Sequence, residues 1–182
     1  IGNCLDLLPE IPDKSIDMIL TDLPYGTTQC KWDTIIPFDQ LWIQYERIIK
    51  DHGAIILFAS QPFTSYLILS NIKLFKYTLV WEKTRPSDFM NAPNKPLKSH
   101  EDICVFSIGM CANHNENNMT YNPQGVIKVN KAWSRPKVYN SDHGYNKPSH
   151  KLERIIEFEN YPRSILKFSN ANNYTVHPTQ KP

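Results

Sequence analysis

Glycine is scarce in this chain, six residues in 182, and no two of them stand close enough to form a phosphate-cradling loop. Neither a P-loop nor a nucleophile elbow is present, which removes two large groups of transferases and hydrolases from consideration. The four cysteines, Cys4, Cys30, Cys104 and Cys111, include no CxxC pair, so reduced thiols are expected rather than disulfides. His100, Cys104, Cys111 and His114 lie near one another in sequence without a recognised ligand spacing, and no metal is expected. No basic-apolar leader and no apolar run of membrane-spanning length occur, which makes a soluble, cytoplasmic protein without a membrane partner the expectation. No internal repeat is visible.

What is present is unevenly spread. The net charge is only +2, but residues 1–60 carry nine acids against four bases. Between Gly125 and Arg154 the balance reverses, with Lys128, Lys131, Arg135, Lys137, Lys147 and Lys151 among the bases and only Asp142 and Glu153 against them. Trp133, Tyr139 and Tyr145 are interleaved with those cations. Cations neutralise phosphates and aromatic rings meet bases or sugars, so this stretch is a candidate for DNA contact; a solvated basic loop is the plainer alternative.

The chain is long enough for one sizeable core with an irregular insertion. The run Ile16 to Leu20 is apolar enough to predict a buried strand of the parallel kind, with Asp22 just beyond its end. Asp39 is placed to cap a helix whose Leu41, Trp42, Tyr45, Ile48 and Ile49 share one face, and Gly53 offers a left-handed exit into a strand over Ala54 to Phe58. Strand, helix and strand in about forty residues predict a βαβ unit and a parallel pair. A second helix follows Ser60, as its cap, and Pro62. Strands are expected over Tyr77 to Glu82 and Glu101 to Ile108, with a long loop from Arg85 to Lys98 that length alone marks as functional or mobile. The fold class expected is α/β, a mostly parallel sheet, with a catalytic core over 1–109, an insertion over 110–160 and a return to the core over 161–182.

The segment Thr21-Asp22-Leu23-Pro24-Tyr25-Gly26 directly follows the first strand, and the chain stops at His177-Pro178-Thr179-Gln180-Lys181-Pro182. The first resembles the catalytic (D/N/S)PPY motif of the amino-group DNA methyltransferases, and the second resembles the start of their cofactor-side motif. Their order is similar to that of the β-class, found in restriction-modification systems and phages. Lys31-Trp32-Asp33, Ala59-Ser60-Gln61-Pro62-Phe63, Val80-Trp81-Glu82-Lys83 and Ser99-His100-Glu101 are further echoes. The resemblance implies a Rossmann-like, S-adenosylmethionine-dependent sheet with helices on both faces. The insertion becomes the target-recognition region, and duplex DNA the partner. Oligomeric state is left open, a homodimer included.

The chemistry so implied is methylation of an exocyclic amine, adenine N6 in preference to cytosine N4 because position 22 is Asp rather than Ser. Asp22 and the carbonyl of Leu23 would each accept an amine N–H, Pro24 would fix the turn, and Tyr25 would offer a ring for a base drawn out of the helix. Leu23 stands where the family usually has Pro. Cys30 follows no Pro-Cys motif, so the covalent thiolate route of the cytosine-C5 enzymes is not implied. Asn3 and Cys4 resemble the step that meets the cofactor's adenine, and His177, Thr179, Gln180 and Lys181 would approach its methionine end. The family's glycine-rich cofactor turn does not occur among these residues, so part of the sheet is expected to be missing. The alternative is a non-catalytic DNA-binding remnant; the same clamp acting on RNA or on a glutamine amide fits the basic insertion less well.

Overall fold

The computed structural model describes residues 2–112, 115–134 and 153–169. The chain forms two compact units, Ile1–Thr120 with Ser164–Pro182, and Tyr121–Arg163. The first holds a five-stranded sheet in the order β1-β2-β4-β3-β7, built from β1 (Ile16–Asp22), β2 (Ile49–Ala59), β3 (Phe75–Ser87), β4 (Lys98–Phe106) and β7 (Ile165–Phe168). The second holds the antiparallel pair β5 (Ile127–Ser134) and β6 (Glu153–Glu159). Residues 110–120, assigned above to the insertion, join the first unit: Met119 is buried, Thr120 N–H donates to His52 O at 2.8 Å, and Met110 bridges to Asn118.

The expected βαβ unit is present, with β1 and β2 parallel across α2 (Phe38–Ile48). The sheet as a whole is mixed rather than mostly parallel. β4 runs antiparallel to both β2 and β3, and β7 parallel to β3. The reason lies in the connection: the ten residues from Asp88 to Leu97 suffice for a hairpin-like return but not for a helical crossover.

β1 pairs as expected but is not buried. It lies at the sheet edge, and Met18 and Leu20 are 54% and 56% exposed. An apolar run reports a strand's composition, whereas its place in the sheet is decided by strand order. The core lies under β2 and β4. Ile55, Leu57 and Ala59 alternate along β2 to meet Cys104 and Phe106 from β4, with Leu41, Trp42, Tyr45 and Ile48 of α2 and Phe63 and Leu67 of α3 (Phe63–Ser70) packed on them. Leu5 of α1 (Cys4–Leu7) joins the same cluster, so the second helical layer that the resemblance implies is not among the described residues. None of the described helices is long and apolar enough to cross a membrane.

Three local expectations are corrected. Asp39 sits in the first turn of α2 and Pro37 at its cap, with no side-chain cap bond. Gly53 is a residue of β2, not a helix exit: a Cβ there would stand 2.8 Å from Asp17 O and 2.7 Å from Ile49 Cγ1, so its bareness is needed where β1 and β2 approach. Pro62, not Ser60, occupies the cap position of α3. Arg47, near the end of α2, ties down the N-terminal segment through Leu8 O at 2.8 Å and Ile11 O at 2.7 Å.

Candidate active site

β1 delivers Asp22 to the C-terminal end of the sheet, beside Phe58 of β2, and the chain then turns through Leu23, Pro24 and Tyr25. Leu23 is 7% exposed and belongs to the core cluster. Where the family motif uses a second proline to stiffen the turn, this chain anchors it by burying a side chain. Tyr25 folds back so that its hydroxyl donates to Asp22 Oδ1 at 2.7 Å. Its ring lies against Phe63 of α3, centroids 5.0 Å apart and planes at 30°. Burial, then the hydrogen bond and charge of Asp22, push the phenol well above its ordinary range, so Tyr25 stays a donor at any working pH. A hydroxyl that cannot ionise fixes the orientation of the carboxylate it serves.

The loop after Tyr25 is held by a residue that the motif alone does not point to. Asp33 is 8% exposed, and its carboxylate accepts from three successive amides: Gly26 at 2.9 Å, Thr27 at 2.9 Å and Thr28 at 2.7 Å. Burial opposes its ionisation, but the Thr28 hydroxyl and these amides outweigh that and hold the carboxyl down at about 2. Gly26 has φ +67°, and a Cβ there would meet Ile35 Cγ1 at 2.9 Å, so only glycine suits this turn.

Further polar groups gather at the same end of the sheet. Lys83 of β3 and Glu101 of β4 form an ion pair at 2.5 Å with each side chain 10% exposed. Lys83 also stands 5.6 Å from the centre of the Trp81 ring, and the Trp81 indole donates to Phe168 O at 2.9 Å. Asp102 accepts from Thr64 of α3 at 2.7 Å, and Lys98 Nζ contacts Ser60 Oγ. A cleft of about 320 Å³ opens here, lined by Ser60, Gln61, Lys95, Lys98, His100 and Glu101 among others. The echoes quoted from the sequence over Ser60–Phe63, Trp81–Lys83 and His100–Glu101 thus converge on one end of the sheet. Cys104 is fully buried, with its thiol pushed up to about 11 by desolvation first and then by Asp102, a packing residue and not a nucleophile.

Of the remaining expected site residues, Asn3 and Cys4 lie at the start of α1. Asn3 caps α1, its Oδ1 accepting from Leu5 N–H at 3.1 Å, and Cys4 is the first residue of that helix. A carboxamide oxygen has a second lone pair, so this bond leaves Asn3 chemically able to accept from one more amine. His177, Thr179, Gln180 and Lys181 lie outside the described residues, as do Arg135, Lys137, Lys147 and Lys151. Lys128 and Lys131 are exposed on β5, with Lys131 Nζ 3.8 Å from Glu159 of β6. Glu157 and Glu159 on β6 stand against Lys128 and Lys131 of β5 in the described hairpin, which is therefore less basic than the stretch from Gly125 to Arg154 suggests.

No family model matches the chain. Among characterised proteins it is similar to the type II methyltransferase M1.MboII of Moraxella bovis, 24% identical over 72% of this chain and 58% of that one. It is also similar to the type II methyltransferase M.HpaI of Haemophilus parainfluenzae, 25% identical over the whole of this chain and 54% of that one. The chain therefore spans little more than half the length of these two curated relatives. Among solved structures, the PvuII DNA methyltransferase (cytosine-N4-specific) aligns at TM-score 0.44 with 13% identity, over 59% of this chain and 48% of that one.

Proposed function

Taking as premise a chain related to the amino-group methyltransferases of restriction-modification type, we propose that it carries the target-base half of an S-adenosylmethionine-dependent DNA methyltransferase acting on adenine N6. The observation that supports this reading most is the Asp22–Tyr25 turn. It presents an oriented carboxylate and a backbone carbonyl at the end of a strand, beside an aromatic pair. An exocyclic amine is a poor nucleophile because its lone pair is delocalised into the ring. Two acceptors, Asp22 and Leu23 O, each taking one N–H, draw the nitrogen toward tetrahedral geometry and direct its lone pair outward. No covalent enzyme intermediate is needed. Acceptors aimed in advance at developing charge contribute most where water is excluded, and Leu23, Phe63 and Tyr25 supply the apolar wall on one side.

S-adenosylmethionine would supply the methyl group as a sulfonium electrophile. Asn3, with His177, Thr179, Gln180 and Lys181, would hold it. For the chain itself the work is binding and positioning: Tyr25 holds the carboxylate, Phe63 holds Tyr25, and Asp33 holds the loop that follows. The preference for adenine rests on Asp at position 22. The basic stretch from Lys128 to Lys151 fits duplex DNA as the partner, with the unit 121–163 as the target-recognition region.

The test is methyl transfer from labelled S-adenosylmethionine to unmethylated genomic DNA by the full-length protein, followed by nucleoside analysis. N6-methyladenine is the expected product, and Asp22→Ala should lower the rate by roughly 10²–10³-fold, the usual cost of removing one aimed polar group. N4-methylcytosine as the product would reassign the base. Undiminished transfer by Asp22→Ala would remove the proposed mechanism.

A further inference from the structure

The loop between β3 and β4 carries two apolar residues that nothing in the site just described uses. Phe89 is 64% exposed and Met90 95%, neighbours at the tip of the loop. Single exposed apolar residues are ordinary on a protein surface. This pair is set apart by how it is held. Asp88 adopts a left-handed conformation, φ +74°, and its carboxylate takes Lys95 Nζ at 2.5 Å and Asn91 Nδ2 at 2.6 Å. The amides of Asn91, Ala92 and Asn94 close successive turns onto Asp88 O, Phe89 O and Asn91 O. The backbone bonds and the Asp88 clamp keep the loop in shape while Phe89 and Met90 face water.

Strand register puts that tip at the working end of the sheet. Asp22 pairs with Phe58, Ala59 with Asp102, Trp81 with Glu101 and Ser87 with Lys98, so the loop joining β3 to β4 leaves from the same end as the Asp22–Tyr25 turn. The cleft of about 320 Å³ adjoins the loop, with Asp88, Lys95 and Leu97 lining it alongside Ser60, His100 and Asp102. From Arg85 to Lys98 the cations Arg85, Lys95 and Lys98 face a single acid, Asp88, so the loop is suited to approach a phosphate backbone.

From this placement, and resting on the DNA methyltransferase reading above, we infer that Phe89 and Met90 form an apolar wedge that enters duplex DNA at the step from which the target base is withdrawn. Drawing a base out of the helix sacrifices its stacking, and proteins that open base steps insert side chains of this kind, Phe and Met among them. The wedge would fill the space the base leaves and hold the neighbouring pairs apart while Asp22 holds the amine.

The experiment compares methyl transfer by the full-length protein to one unmethylated genomic DNA offered as duplex and after heat denaturation, in single-turnover conditions. Single strands need no wedge. The double variant Phe89→Ala/Met90→Ala should slow transfer to duplex by roughly ten- to hundredfold while changing the rate on denatured DNA by less than about threefold. The double variant Phe89→Leu/Met90→Leu, which keeps an apolar tip, should restore most of the duplex rate. Equal loss on both substrates, or no loss on either, overturns the inference. So does a change of oligomeric state in the alanine variant by sedimentation, which would assign the pair to a contact between protein chains. An unmodified protein that methylates neither substrate defeats the enzyme reading, and the wedge with it. Loss confined to duplex separates the two.

Discussion

Asp33 shows how one side chain can govern a motif seven residues away. Its three amide bonds span Gly26 to Thr28, so the loop cannot move without breaking charge-assisted hydrogen bonds in a nearly buried place. Because the folded carboxyl is held at about 2, below the ordinary 3.8, the unfolded chain binds its proton more tightly. The stabilisation is therefore fully present above pH ~4 and is lost as the pH falls toward 2; the difference amounts to about 2 kcal/mol. Asp33→Asn should lower unfolding free energy by about that amount at pH 6 in urea titrations, with the gap between the two proteins narrowing at pH 3. A gap of equal size at both values would mean that the carboxylate charge does not hold the loop. Asp33 is adjacent to Trp32 in a short stretch that the sequence already marks, yet its partners become visible only once the loop closes. Asp22 and Tyr25, by contrast, are legible as members of one motif, although the bond between their side chains is visible only in the folded turn. The Lys83–Glu101 pair is not, since it needs the antiparallel register that sets Trp81 opposite Glu101.

At the scale of elements, local signals gave strands and helices their identity but not their neighbours. α2 is legible in the spacing of Leu41, Trp42, Tyr45 and Ile48, and all four are buried. β1 is legible as a strand and as a partner of β2, while its edge position depends on which strands lie beyond it, information absent from seven residues. The two strands should respond differently to the same truncation. Leu57, fully buried near the C-terminal end of β2, has core on its side chain, so Leu57→Ala should cost about 2–5 kcal/mol through lost burial and a cavity. Leu20, half-exposed on β1, should cost within about 1 kcal/mol when cut to Ala. Chemical denaturation of both variants checks the contrast. Similar losses would mean that the outer face of β1 is covered in solution.

For the whole molecule, acids and bases are segregated along the chain. The acidic first third folds with the sheet that carries Asp22, and the basic stretch from Lys128 to Lys151 belongs to the unit 121–163. If that stretch contacts DNA, binding must release counterions in proportion to the phosphates it neutralises. Six cations, Lys128, Lys131, Arg135, Lys137, Lys147 and Lys151, set an upper limit of roughly −5 on the slope of log K against log salt. Replacing any one that touches a phosphate should make the slope shallower by about 1 without changing sequence preference. The two described members make a graded test. Lys128 has no ion pair among the described residues, whereas Lys131 stands 3.8 Å from Glu159, a long, exposed contact that must be exchanged for a phosphate on binding. Lys128→Ala should therefore lower affinity more than Lys131→Ala, measured by fluorescence anisotropy on a mixed-sequence duplex across a range of salt. A slope that survives the removal of both unchanged would mean that neither touches a phosphate, leaving the contact to Arg135, Lys137, Lys147 and Lys151 or to Arg85, Lys95 and Lys98 around the β3–β4 loop of the sheet-bearing unit.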